Sequence, residues 1–274
     1  MSEPLRLLAV HAHPDDESSK GAASVARYRA EGVDVMVATC TGGEAGSVLN
    51  ENYGGTVLDM AATRRDEMAR AVDILDIKHR WLGFIDSGMD EVLEPGCFAD
   101  LPLEVAAAPL IELLREFRPH VVTTYDENGG YPHPDHIRTH EVTMFACETV
   151  ASEWQVQKIY FHHTFSRSRV VALHEALLAR GLESQYHDWL ADWPEDRDVF
   201  RRVTTRVECA DFFDVRDAAL RAHATQVDPE GGWFSVPRSL ERELWPTEDF
   251  ELAFSAFPAT LPESDLFAGL RKAQ

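Results

Sequence analysis

No CxxC pair occurs in this sequence: its four cysteines, Cys40, Cys97, Cys147 and Cys209, lie far apart. That excludes a cysteine zinc knuckle and a disulfide framework, and leaves buried, reduced thiols as the expectation. Apolar runs are short, none approaching the roughly 18 residues of a membrane span. The opening MSEPLRLLAV lacks the basic start, long apolar core and small-residue cleavage site of a signal peptide, so a cytoplasmic setting is expected. Positive charge is scarce too, with 26 Lys and Arg against 47 Asp and Glu and a formal net charge of -21. Such a chain repels phosphate backbones and anionic lipids, which argues against nucleic-acid and membrane partners and for a small-molecule substrate. Internal repeats and low-complexity linkers are also lacking.

Hydrophobic residues make up 45% of the 274, enough to bury a core. β-rich runs at 5–10 (LRLLAV), 33–41 (VDVMVATCT), 79–84 (HRWLGF), 120–125 (HVVTTY) and 156–163 (VQKIYFHH) read as strands. Helical periods intervene at 21–32, 61–76 and 105–119, with Pro109 leaving the start of the last one open. This alternation predicts an α/β, Rossmann-like fold: a mostly parallel sheet with helices on both faces. Beyond about residue 182 the alternation fades into Trp-, Pro- and acid-rich sequence with one clear helix at 215–226. Residues 1–181 are therefore read as the core, and 182–274 as an elaboration packed on it within the same domain.

Ligands of open parallel sheets bind beyond the C-terminal ends of the strands. The segments at those positions are HAHPDDE, TGGEAG, IDSG and YDENGGYPHPDH, so all four can line one crevice. A dinucleotide is excluded: no glycine precedes Gly21 in the first turn, and Asp15, Asp16 and Glu17 would repel a pyrophosphate. A divalent metal fits better, since imidazole and carboxylate together suit a borderline ion and catalytic zinc sites use three protein ligands plus water. His13 and Asp16 flank Pro14-Asp15 at one strand-to-helix turn. His133 and His136 repeat that spacing at another, with Pro134 suited to a first helical turn. His136 and His140, at i and i+4, are a rival pair on one helix face, although HExxH is absent. His162 and His163 point to opposite faces of their strand, so at most one enters the crevice. Asp135 and Asp126 are alternative partners for a histidine's second nitrogen.

With AHPDDE and HPDH in this order, the chain resembles the LmbE / PIG-L type of zinc-dependent deacetylase, which removes acyl groups from amino-sugar amides. RRDEMA, LGFIDSGM, VTTRV, ALRAHATQ and LWPTEDFELA extend the resemblance over nearly the whole chain, towards the branch acting on mycothiol S-conjugates. The resemblance implies one Zn²⁺ per chain, or Fe²⁺ or another divalent ion, held by His13, Asp16 and His136. It implies Asp15 as general base, His133 as stabiliser of the tetrahedral intermediate or proton donor to the amine, and Tyr131 as a tyrosine moving over the carbonyl. Glu44, Arg64 and Asp86 would contact sugar and inositol, with Arg65 an adjacent candidate for the Arg64 role. Lys20 would contact the acyl group or its conjugate. The implied reaction is cleavage of a mycothiol S-conjugate to a mercapturic acid and glucosaminyl-inositol, as detoxification in an actinobacterial cytoplasm. Deacetylation of the N-acetylglucosaminyl-inositol precursor and a non-catalytic metal- or glycan-binding role are the alternatives.

Overall fold

The computed structural model describes residues 3–195 and 198–271. In chain order the strands are β1 (Arg6–His11), β2 (Asp34–Thr41), β3 (Lys78–Phe84), β4 (Val121–Thr124), β5 (Lys158–His162), β6 (Thr205–Glu208) and β7 (Thr247–Ser255). The α-helices are α1 (Asp16–Ser19), α2 (Ala22–Ala30), α3 (Met60–Leu75), α4 (Leu103–Phe117), α5 (Pro134–Val150), α6 (Arg167–Ala179), α7 (His187–Asp192), α8 (Phe213–Ala222) and α9 (Arg238–Leu244). One sheet runs in the order β3-β2-β1-β4-β5-β7-β6. Its pairings from β3 through β5 are parallel, and those of β7 with β5 and β6 are antiparallel.

Alternating strand residues explain the helices on both faces, because successive side chains of a strand leave on opposite sides. Leu8, Val10, Met36 and Ala38 pack with Leu110, Leu114, Val142 and Ala146 of α4 and α5. Leu7 and Val35 pack with Tyr28 of α2, and Ala9 and Val37 with Met68 of α3. The near-continuous apolar runs of β1 and β2 are thus those of strands buried twice over.

Pro109 lies inside α4 instead of at its start. The carbonyl it deprives of its i+4 partner belongs to Val105, a residue exposed on the helix surface. The helix expected over 215–226 ends at Ala222, because His223 leaves the helical path with φ -85° and ψ 59° and its buried ring turns towards α1. The second difference is larger: the C-terminal part supplies β6 and β7 to the same sheet as the five expected strands.

Chain order reverses between β1 and β4, whose neighbours lead away on opposite sides. The loops after those strands therefore diverge and leave a crevice at the C-terminal edge. Both His-Pro-Asp segments sit there. The four cysteines are all buried and unpaired. Among the described residues no helix is long and apolar enough to cross a membrane.

Candidate active site

β1 delivers the chain into a tight turn in which Asp15 adopts φ 95° and ψ -26°, left-handed backbone that a residue other than glycine rarely occupies. Several bonds hold it there. Arg64 Nη2 donates to the Pro14 carbonyl at 2.5 Å and to Asp15 Oδ2 at 2.8 Å, while the Asp15 N–H donates to Glu17 Oε2 at 2.9 Å. Glu17 Oε1 lies 2.7 Å from Nε2 of the fully buried His223. Glu17, the acid for which the motif offers no chemistry, is thus tied to the backbone of its neighbour and to a residue beyond α8.

Asp16 is the hub of the cluster. Its Oδ2 accepts from Tyr125 Oη at 2.6 Å and from the His13 N–H at 3.0 Å, and its Oδ1 accepts from Lys20 Nζ at 2.5 Å. Tyr125 Oη itself accepts from Ala12 N at 2.8 Å, so its proton is directed at Asp16. On α5, His136 Nδ1 donates to the Gly129 carbonyl at 2.9 Å, which leaves a lone pair on Nε2. That Nε2 is buried without a hydrogen-bond partner and faces Asp16 Oδ2 at 3.4 Å. His13 Nε2 lies 3.2 Å from Asp135 Oδ2, and its Nδ1 lies 3.6 Å from Asp16 Oδ2. A carboxylate oxygen and imidazole lone pairs at these separations repel one another unless positive charge lies among them. The site's demand for a cation is also visible in His13: burial opposes its charging, but Asp135, Asp16 and Asp86 outweigh burial and raise it well above the usual imidazole value.

Ligand atoms of His13, Asp16 and His136 lie within 4.8 Å of one another, as do those of His13, His133 and Asp135. Each set contains a buried atom without a hydrogen-bond partner, His136 Nε2 in the first and Asp135 Oδ1 in the second. In the second, Asp135 Oδ2 already accepts from the Ser87 N–H at 3.0 Å, and His133 Nδ1 accepts from the Asp135 N–H at 3.1 Å. His140 stays outside both sets, with its Nδ1 3.0 Å from the Tyr125 carbonyl, so the i, i+4 rival pair does not form. Asp135 is the carboxylate that meets a cluster histidine. Asp126 instead shapes the following loop, accepting from Asn128 N at 3.1 Å and Gly130 N at 2.8 Å.

His133 caps α5 through Nδ1, so the proton of its neutral ring resides on Nε2. Burial, then His13 and His136, hold its pKa down at about 4. Tyr131, half exposed, sets its ring 4.6 Å from that of His136 and 6.1 Å from that of His133. The loop leading to them needs glycine at 129: φ is 72°, and a Cβ there would stand 2.7 Å from that of His136.

The remaining expected residues line the same crevice. Asp86 Oδ1 is 3.6 Å from His13 Nε2, and Glu44 Oε1 accepts from the Asp86 N–H at 3.1 Å. The other Glu44 oxygen is buried without a partner. Arg64 is buried on Asp15 and also donates to the Gly43 carbonyl at 3.1 Å, whereas Arg65 is exposed with its guanidinium 6.0 Å from the centroid of the Trp81 ring. Lys20 Nζ reaches Ser19 Oγ at 3.2 Å as well as Asp16. Tyr125 and His223 were not among the expected site residues. Tyr125 is visible in the sequence only as the end of a strand.

Residues 8–147 match the family described as PIG-L, GlcNAc-PI de-N-acetylase. A mycothiol S-conjugate amidase of Streptomyces coelicolor is 54% identical, over 99% of this chain and 99% of its own. The chain belongs to the PIG-L (LmbE) family. Other relatives in that family are 1D-myo-inositol 2-acetamido-2-deoxy-α-D-glucopyranoside deacetylases. That of Nocardia farcinica is 39% identical, covering 96% of each chain, and that of Thermobispora bispora is 37% identical, covering 97% of this chain and 98% of its own. Among solved structures, the N,N'-diacetylchitobiose deacetylase of Pyrococcus horikoshii superposes with a TM-score of 0.61 at 18% identity, over 90% of this chain and 83% of that one. The zinc-inhibited form of a teicoplanin deacetylase gives 0.61 at 18%, over 93% and 100%. These superpositions show the shared fold.

Proposed function

We propose that the protein is a zinc-dependent amide hydrolase that cleaves mycothiol S-conjugates into a mercapturic acid and glucosaminyl-inositol. The observation that carries the substrate is the end-to-end similarity to the S. coelicolor amidase, 54% against 39% for the N. farcinica deacetylase. The reaction class rests on the cluster of His13, Asp16 and His136, the residues that would hold the metal. When bound there, a zinc ion supplies Lewis acidity, polarising the amide carbonyl and making water easier to deprotonate.

The chain's own groups account for the rest of the chemistry. Asp15 is held beside the cluster by Arg64 and by its strained turn, and its carboxylate takes a proton from the attacking water. His133 directs its Nε2–H at the carbonyl oxygen as negative charge builds, and the Tyr131 hydroxyl adds a second donor. The proton taken by Asp15 is then available to the departing nitrogen, so no external acid is needed. Glu44 and Asp86, on the β2 and β3 side of the crevice, offer acceptors to sugar hydroxyls. Lys20 spans from Asp16 towards the acyl side. The net charge of -21 supports a small-molecule partner over nucleic acid or membrane.

The test is amine release from the bimane conjugate of mycothiol compared with the N-acetylglucosaminyl-inositol precursor, at matched metal content. The expected outcome is a higher kcat/KM on the conjugate. A higher value on the precursor would reassign the protein to the deacetylases.

A further inference from the structure

Beyond the C-terminal ends of β1 and β5 lies a cavity of about 490 Å³, within the range of small-molecule sites. Phe165, Tyr186, Trp189 and Trp233 form much of its wall, and Ser19 of α1 closes it on the side of the metal cluster. Phe165, Trp189 and Trp233 keep 41%, 54% and 37% of their surface exposed although their rings meet at 5.9 and 5.3 Å. Gathered aromatics left open to water lose the burial that would favour them, and such patches mark binding surfaces. The charged groups of the cavity already have partners: Arg169 and Arg216 donate to Glu241 Oε1 at 2.6 and 2.9 Å, Arg238 donates to Oε2 at 2.7 Å, and Glu248 accepts from the Ala23 and Ser24 N–H groups. What the cavity offers a ligand is therefore its aromatic wall.

Its position relative to the reaction is set by α1. Asp16 faces the metal cluster and Ser19 the cavity, and residues three apart on a helix stand about 5–6 Å from each other. Lys20 Nζ joins the two, bonding Asp16 Oδ1 at 2.5 Å and Ser19 Oγ at 3.2 Å. In a mycothiol S-conjugate the sulfur is three bonds from the scissile carbonyl carbon, so whatever it carries begins about one helical turn from the metal.

We propose that this cavity is the subsite for the group carried on sulfur and that it takes flat, apolar, aromatic substituents. The proposal rests on the amidase reading for the identity of the substrate. Selectivity among conjugates then resides in the C-terminal residues, apart from the groups that perform hydrolysis.

Trp233→Ala, Trp189→Ala and the milder Trp233→Phe test it in the metal-loaded protein. KM for the bimane conjugate should rise about tenfold in each alanine variant, with kcat held. KM for an S-methyl conjugate should change less than about twofold, and Trp233→Phe should recover most of the loss. In parallel, S-bimanyl-N-acetylcysteine, the product half, is titrated against tryptophan fluorescence. Wild type should bind it and the alanine variants about tenfold more weakly. Equal losses on both conjugates, or product binding unchanged in both alanine variants, would overturn the subsite. Product binding that depends on Trp233 in a protein inactive on every conjugate would instead overturn the amidase reading and leave the subsite standing.

Discussion

The His/Asp cluster around Asp16 and the aromatic cavity share one edge of the sheet and even one short helix, yet they are built in opposite ways. Around Asp16 the polar groups are buried, some held by hydrogen bonds and others, His136 Nε2 among them, left without a partner, and the backbone at Asp15 is held in an unfavourable conformation. The cavity has open aromatic rings and one self-contained charge network. The family match spans residues 8–147 and so covers the first region, but not the residues 164–241 that line most of the second. Chemistry that does not change can be locked in place; a wall that meets varied substituents needs only shape and apolar surface.

The division between the two regions can be broken most severely at the cluster. Asp15→Asn should lower kcat by about 10² to 10⁴ while metal content stays at one per chain, whereas Asp16→Ala should lose the metal as well. Steady-state rates with parallel elemental analysis separate the two. Full activity in Asp15→Asn would remove it as the base.

Beneath the cavity, Glu241 should matter for stability. Burial pushes its carboxyl up, but Arg216, Arg169 and Arg238 outweigh burial and draw it from 4.5 down to about 2. Because the folded value is the lower one, this stabilisation is fully present above about pH 4.5 and is lost as pH falls towards 2. At neutral pH it is on the order of 3 kcal/mol. The stability gap between wild type and Glu241→Gln, measured by urea unfolding, should therefore be widest near pH 7 and narrow below pH 4.5. A gap constant with pH would contradict the assignment.

A smaller effect is expected where the regions are tied together. Glu17 holds the Asp15 N–H and meets His223, so Glu17→Gln should lower kcat about tenfold with KM and metal content unchanged. A rise in KM with kcat intact would move Glu17 out of the positioning role. Smallest of all is Arg65→Ala, whose side chain is exposed and away from Asp15. It should shift stability and transition-state binding by less than about 0.5 kcal/mol, while Arg64→Ala should impair turnover. Equal effects of the two substitutions would undo the distinction between them.

The two regions also differed in how far they could be read in advance. His13, Asp16 and His136 stand out because short motifs at strand ends carry both ligand type and spacing, and the switch between β1 and β4 brings them together. β7 was invisible because TEDFELAFS lacks a clean apolar alternation: Glu248 is buried on the N–H groups of Ala23 and Ser24, and Asp249 on Trp245 and Arg206. Apart from Trp245, these partners lie far along the chain, and no local pattern announces them. The role of Glu17 was hidden for the same reason, since His223 is 206 residues away. Arg64 and Arg65 are indistinguishable as neighbours in a motif; the face of α3 on which each falls separates them.

Metal content of wild type, His136→Ala and His140→Ala, each purified under the same conditions, tests the central claim most directly. Wild type and His140→Ala should each retain about one divalent ion per chain, and His136→Ala should retain almost none. Stoichiometric metal in His136→Ala together with its loss in His140→Ala would contradict the cluster centred on Asp16.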